Sequence, residues 1–375
     1  MRILFTGGGT GGHFFPVVAV ARELKRIAEE EQILDLELYY MGPDDFGQEI
    51  ITAEEIFFFK VGTGKIRRYV SILNIFDVVK TFFGILNGIW KTFLVMPDVV
   101  FSKGGYGAVP AVIGAIIFRI PLVIHESDSV PGKVNRFSGR FALRIGIAFS
   151  SAAKFFPKER VALVGIPIRK RILGGNPVQA KESFSIFSDL PIIGIIGASQ
   201  GSQKINEAVL GVLKDLTEEF EVIHQTGEKN FEEVKGESSV TLQFAHQERY
   251  HPVGFFDEQS IREFYAACDL IISRAGASSI FEIAAWAKPA ILVPLLNSAQ
   301  EHQMKNAYDY AASGAADIVE EGNLTPHILF GEIKKLVQDK NTMKRMGEAA
   351  QRFSRIDSAE IIARELLQVG LHKKT

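Results

Sequence analysis

Four glycine-rich turns constrain this chain more than any other feature, because each directly follows a short apolar run. They lie at 7–12, at 103–107 (KGGYG), at 197–202 (GASQGS) and at 274–279 (RAGASS). An apolar run, a bare turn and then a helical pattern is the repeating unit of a parallel α/β sheet. DVVFSKGG, PLVIHES and RIGIAF read as buried strands of a first sheet. After VALVGIPIRKRILGGNP the alternation restarts with PIIGIIGASQGS, FEVIHQTGE, HPVGFF, DLIISRAGAS and PAILVPLLN. With 375 residues the chain is long enough for two cores, so two α/β sheets joined near residues 165–185 are expected. In such sheets ligands lie outside the carboxyl ends of the strands, where the glycine turns fall. Turns of this kind in both halves suit a substrate with phosphate groups on each side.

The stretch FTGGGTGGHFFP, residues 5–16, stands between the strand RILF and the helical pattern PVVAVARELKRIAEE. A bare turn there aims backbone N–H groups at whatever docks, and the helix dipole favours an anion. Gly7, Gly9 and Gly12 satisfy G-x-G-x-x-G, but so would many spacings in so glycine-rich a run. The acid that a dinucleotide site requires after its second strand is missing: the first acid after LELYYMG is Asp44, past a Gly-Pro turn. A tight turn without a ligand is the bland alternative.

Composition narrows the class. A net charge of −2 gives no pull toward nucleic acid. The single cysteine, Cys268, excludes an internal disulfide and a multi-cysteine metal site. No signal peptide is read at the N-terminus. No apolar run reaches the roughly 18 residues of a membrane span; Lys91, Pro97 and Asp98 interrupt the most apolar region, and Pro110 and Arg119 the next. No cofactor and no structurally required metal are expected, since no ligand cluster is visible.

GGGTGGHFFP, KGGYG, HESDSVPGKVN, GASQGSQKIN, HQTG, RAGASSIFEIAAWAKPAILVP and EHQMKNA occur in this order. Together, from residue 3 to about 320, they resemble the MurG family, glycosyltransferase family 28. The resemblance implies an α/β GT-B fold, two Rossmann-like domains with parallel sheets facing a deep cleft. It implies an acceptor- and membrane-facing domain at 1–164, with a C-terminal helix at about 352–375 packing back on it. A UDP-GlcNAc-binding domain would span 165–351. The implied reaction is inverting transfer of GlcNAc from UDP-GlcNAc to the 4-hydroxyl of undecaprenyl-pyrophosphoryl-MurNAc-pentapeptide (lipid I), giving lipid II and UDP. The setting would be the cytoplasmic face of the cell membrane, with other cell-wall synthesis proteins as further partners. The alternatives are a related lipid glycosyltransferase acting on diacylglycerol, a more distant UDP-GlcNAc 2-epimerase, and a non-catalytic nucleotide-sugar-binding protein. This chain departs from the family pattern at Ala198, at Ser127 and Asp128 where Gln-Asn is common, and at Gly165-Ile166-Pro167-Ile168-Arg169 where Gly-Asn-Pro-Val-Arg is common.

Glycosyl transfer needs a base for the acceptor hydroxyl, in-line positioning and stabilisation of the leaving diphosphate. By resemblance Thr10, Gly11 and Gly12 face the acceptor pyrophosphate and His13 stands near the reacting hydroxyl. A helix N-terminus disfavours imidazolium, which suits a neutral base. Asp128 is the competing base, and Tyr106, His125, Glu126 and Asn135 are acceptor-side candidates. On the donor side stand Arg169, Ser199, Gln200, Phe255, Phe256, Arg274, Ala277, Ser278, Glu282, Gln303 and Asn306. Glu282 would accept both ribose hydroxyls. Arg274 would either neutralise phosphate or pair with a carboxylate in the loop. The amides of Gln303 and Asn306 would read the sugar. Lys65, Arg67, Arg68, Ile72 and Phe76, in GKIRRYVSILNIFDVVKTFF, form a basic and apolar patch for an anionic membrane surface.

Overall fold

The computed structural model describes residues 1–8, 11–43, 47–62, 73–197, 201–242, 244–296, 298 and 301–372, the side chains of 73–80, 244–245 and 372 excepted. The chain divides into two compact units. One is Met1–Arg169 together with Ile356–Thr375, and the other is Lys170–Arg355.

The first unit is built on seven parallel strands: β1 (Arg2–Thr6), β2 (Glu37–Gly42), β3 (Phe57–Lys60), β4 (Val99–Ser102), β5 (Leu122–Glu126), β6 (Arg144–Ile147) and β7 (Val161–Leu163). Their order is β3-β2-β1-β4-β5-β6-β7. The second unit holds six: β8 (Ile192–Ile196), β9 (Glu221–Gln225), β10 (Tyr250–Val253), β11 (Leu270–Ser273), β12 (Ala290–Leu292) and β13 (Ala316–Ile318), ordered β10-β9-β8-β11-β12-β13. Within each unit the order begins 3-2-1-4-5-6, the doubly wound pattern. The order reverses between β1 and β4, where Thr6 pairs with Ser102, and between β8 and β11, where Ile196 pairs with Ser273.

The strands form where the sequence is continuously apolar and covered on both faces. IIGII of β8, LVIHE of β5 and EVIHQ of β9 are buried at every residue. Three strands carry no such signal. β3 and β7 are partly exposed, and β13 is three residues long; all three lie at sheet edges. The first helix, Gly11–Glu30, begins five residues before the expected Pro16 and contains that proline. The carbonyl a proline ring crowds is four residues back, here that of Gly12, close to the helix start.

The helix Ser358–His372 belongs to the first unit. Ala359, Ile362, Ala363, Leu366 and Leu367 share a core with Val17, Val18, Ala21 and Leu24 of the first helix. At the rim Arg26 pairs with Glu360 at 3.2 Å and Arg364 with Glu31 at 2.8 Å. No helix among the described residues is long and apolar enough to cross a membrane.

Candidate active site

In the first unit the turns after β1 and β4 meet at the reversal of strand order. Gly105 has φ +78°, and a methyl group there would stand 3.0 Å from Cα of Gly8 and 3.6 Å from Nε2 of His13. A methyl on Gly8 would stand 3.0 Å from Cδ2 of His13. The imidazole therefore lies against bare backbone from both turns, tightly at Gly8 and at ordinary contact distance at Gly105. His13 is half-buried in the first turn of its helix, and Gly11 and Gly12 are that helix's first two residues. Tyr106, half-buried, opens the short helical turn Tyr106–Ala108 that follows Gly105.

Beneath these turns lies a polar cluster at the ends of β4 and β5. His125 is fully buried, and its Nε2 donates to the carbonyl of Gly165 at 2.7 Å. That leaves Nδ1 as the acceptor, and the Lys103 ammonium approaches it at 2.5 Å. Burial, with the Lys103 charge next, holds His125 well below its ordinary range. It is a neutral strut between β5 and the segment at 165. Glu126 is also a scaffold: one carboxylate oxygen accepts from the Asp128 amide at 3.0 Å. The other accepts from the Gly132 amide at 3.2 Å and from Asn135 Nδ2 at 2.9 Å. Asn135 is buried and also donates to the His125 carbonyl at 3.1 Å. These bonds shape the turn that carries Asp128, which is half-buried. Lys103 was not foreseen as a site residue; its signal is a lysine inside a glycine turn.

The second unit uses its charged groups differently. Arg274 is buried: it donates to Ser202 Oγ at 2.7 Å and to the Val293 carbonyl at 3.2 Å, and it pairs with Glu321. Of the two expected uses of Arg274, the structure shows the carboxylate pair. Glu321 also accepts from the Leu296 amide at 3.3 Å, so one ion pair ties together the segments after β8, β11, β12 and β13. Ser202 caps the helix Gln203–Leu210. Gly201 has φ +75°, and a methyl there would fall 2.0 Å from the Thr226 carbonyl oxygen, so only glycine fits. Behind it Asn206 donates to that carbonyl at 3.0 Å, and His224 bridges Asn206 Oδ1 at 3.1 Å and Tyr250 Oη at 2.8 Å. Burial lowers His224 to about 3, so it stays neutral.

The helix Ala277–Ala285 follows β11 with Gly276 as its cap and no capping side chain. Its first-turn amides, with Ala277 buried and Ser278 half-buried, form a place for an anion. Glu282 is half-buried on the same helix and accepts from Tyr265 Oη at 3.2 Å, so it is not a solvated surface acid. Gln303 accepts from the Leu295 amide at 3.0 Å through Oε1, leaving Nε2 as its other polar end. Asn306 lies deeper than a sugar contact requires: it is fully buried, with Nδ2 3.5 Å from the Ala275 carbonyl. Phe256 is buried against Phe264 and Phe184, whereas the Phe255 ring is 44 % exposed. Arg169 lies in the first unit, its guanidinium 4.0 Å above the Phe15 ring. Thr10, Ser199, Gln200, Lys65, Arg67, Arg68 and Ile72, and the side chain of Phe76, lie outside the described residues. Beyond them the helix Leu73–Val95 exposes Phe82, Phe83, Leu86, Trp90, Phe93 and Leu94, one stripe at helical spacing. No group of three or more metal-ligating side chains suited to an ion occurs among the described residues.

Two family models match: the glycosyltransferase family 28 N-terminal domain over residues 3–147 and its C-terminal domain over residues 192–361. A UDP-N-acetylglucosamine–N-acetylmuramyl-(pentapeptide) pyrophosphoryl-undecaprenol N-acetylglucosamine transferase of Clostridium kluyveri is 35% identical over 91% of this chain and 92% of its own length. The enzyme of that name from Legionella pneumophila strain Paris is 33% identical, covering 98% and 97%. Among solved structures, Acinetobacter baumannii MurG superposes with a TM-score of 0.73 at 22% identity, over 98% of this chain and 99% of that one.

Proposed function

This chain belongs to glycosyltransferase family 28, and from that premise we propose that it transfers GlcNAc from UDP-GlcNAc to lipid I, with inversion, giving lipid II and UDP. The observation that carries this reading is chemical. The first unit sets a titratable imidazole, His13, against two bare turns, and the second sets an uncapped helix N-terminus beside a half-buried carboxylate, Glu282. His13 takes the proton of the acceptor 4-hydroxyl as that oxygen bonds to the anomeric carbon. The bond from that carbon to the diphosphate oxygen breaks, and UDP leaves with the electron pair. The amides at Ala277 and Ser278, and the turn at 197–202, stabilise the growing phosphate charge. Glu282 receives the ribose hydroxyls, and Gln303 offers Nε2 to the sugar. Arg274 and Asn306 act one layer below, by fixing the turns.

The acceptor's lipid requires a membrane surface. The stripe from Phe82 to Leu94 supports docking of the first unit at the cytoplasmic face, with the basic segment at 65–68 adjoining it in sequence. The deciding assay supplies UDP-GlcNAc and a short-chain lipid I analogue and scores disaccharide product. UDP-glucose should be used far more slowly, because a site that pairs with the N-acetyl amide leaves polar groups unpaired with glucose. No product, or equal use of both sugars, would overturn the reading.

A further inference from the structure

We propose that Lys103 is a positioning residue of the acceptor site, charge-matched to Asp128 so that a carboxylate can stand beside an anionic acceptor. This rests on the acceptor reading given above for the first unit.

The geometry is specific. Lys103 follows β4 at the strand-order reversal and is 1 % exposed. Its ammonium donates to Ser127 Oγ at 2.6 Å and to His125 Nδ1 at 2.5 Å, which pins the residue next to Asp128. Its Cβ lies 3.4 Å from where a methyl on Gly7 would stand, so the stem runs under the first glycine turn. Three groups act on its charge or stand against it: Glu126 and Asp128 from the segment ending β5, and the neutral His125 of β5. His13, on the helix Gly11–Glu30, acts electrostatically on His125. Burial pushes Lys103 down to about 7, while the charges of Glu126 and Asp128 hold it up. Burial first, and then the Asp128 charge, pushes Glu126 up.

An unmatched carboxylate at 128 would repel a pyrophosphate received by the neighbouring backbone amides. The resemblance puts an amide there, and no buried cation is then needed for balance. In this chain Ser127 gives the ammonium its hydrogen bond and Asp128 gives it a charge. The cation thereby offsets the Asp128 charge beside the acceptor. Removing the cation alone should weaken acceptor binding more than the chemical step, and removing the carboxylate as well should restore it.

The test is a double-mutant cycle of Lys103→Met and Asp128→Asn, assayed with UDP-GlcNAc and the short-chain lipid I analogue. Lys103→Met is expected to raise the acceptor KM by about 10- to 100-fold with a smaller change in kcat, the pattern of lost charge complementarity. UDP affinity should stay as in the wild type. The double variant should return close to the acceptor KM of Asp128→Asn alone. Losses that simply multiply would overturn the pairing, as would a Lys103→Met effect confined to kcat. Asp128→Asn should also remove the alkaline limb that Lys103 deprotonation gives the wild-type acceptor kcat/KM profile. Without the carboxylate the ammonium is no longer required, so its loss at high pH costs nothing; a limb that persists counts against the proposal. If the wild type makes no disaccharide, the functional reading fails by itself. The cycle is then read in unfolding midpoints: a double variant more stable than Lys103→Met sustains the pair, and additive shifts refute it.

Discussion

The two units share one strand order and use it for opposite ends. At the β1–β4 reversal the buried charges, Lys103 and Glu126, lie beneath the turns, and a titratable ring lies against bare backbone. At the β8–β11 reversal the buried ion pair of Arg274 and Glu321 cross-ties the turns themselves. Under the proposed function, the first arrangement leaves His13 placed to accept a proton. The second leaves fixed amide dipoles there and keeps full charges bound to each other. A base must change protonation during turnover, whereas a leaving-group site works best when nothing in it reorganises.

The sharpest way to break this contrast is His13→Ala. Turnover should fall by about 10²–10⁴-fold, while calorimetry shows UDP binding close to that of the wild type. A parallel loss of UDP affinity would mean that the two sites are not chemically separate. On the other side, Glu321→Ala strands the Arg274 charge in a buried position. It should cost about 3–5 kcal/mol in the second unit's unfolding free energy, measured by urea titration, and a loss below about 1 kcal/mol would mean the pair behaves like a surface salt bridge. Next in size is Glu282→Ala, expected to weaken UDP binding by about 1.5–3 kcal/mol, the cost of charge-assisted hydrogen bonds. Unchanged affinity in a folded variant would leave Glu282 as a partner of Tyr265 and nothing more. Gly105→Ala is expected to cost about 1–3 kcal/mol of stability from its positive-φ backbone, and its methyl would press the Gly8 backbone against which His13 packs. Turnover should therefore drop while the UDP calorimetry does not change.

The parallel sheets were legible because their central strands are written as unbroken apolar runs. β3 and β7 were not, because a strand exposed on part of its surface loses that signal. The places of His13 and Glu282, each on a helix just past a strand, were legible from their short motifs. The partners of the residues that hold the turns were not, because they are distant in sequence. Lys103 meets Ser127 across 24 positions, Arg274 meets Glu321 across 47 and Ser202 across 72. For Asn306 the motif shows an amide in this segment, and only packing shows its 3.5 Å approach to the Ala275 carbonyl.

The helix Ser358–His372 bears on how the protein is made. Its apolar face covers the helix that carries His13, so the core around Val17, Val18 and Leu24 cannot be completed until some 340 residues after them have been synthesised. The second unit, Lys170–Arg355, is complete in sequence before that happens. On the ribosome the unit begun first is therefore finished last, and it waits with an open apolar seam. A chain cut short before Ala359 would keep every motif of the site and still lack the surface on which the His13 helix rests.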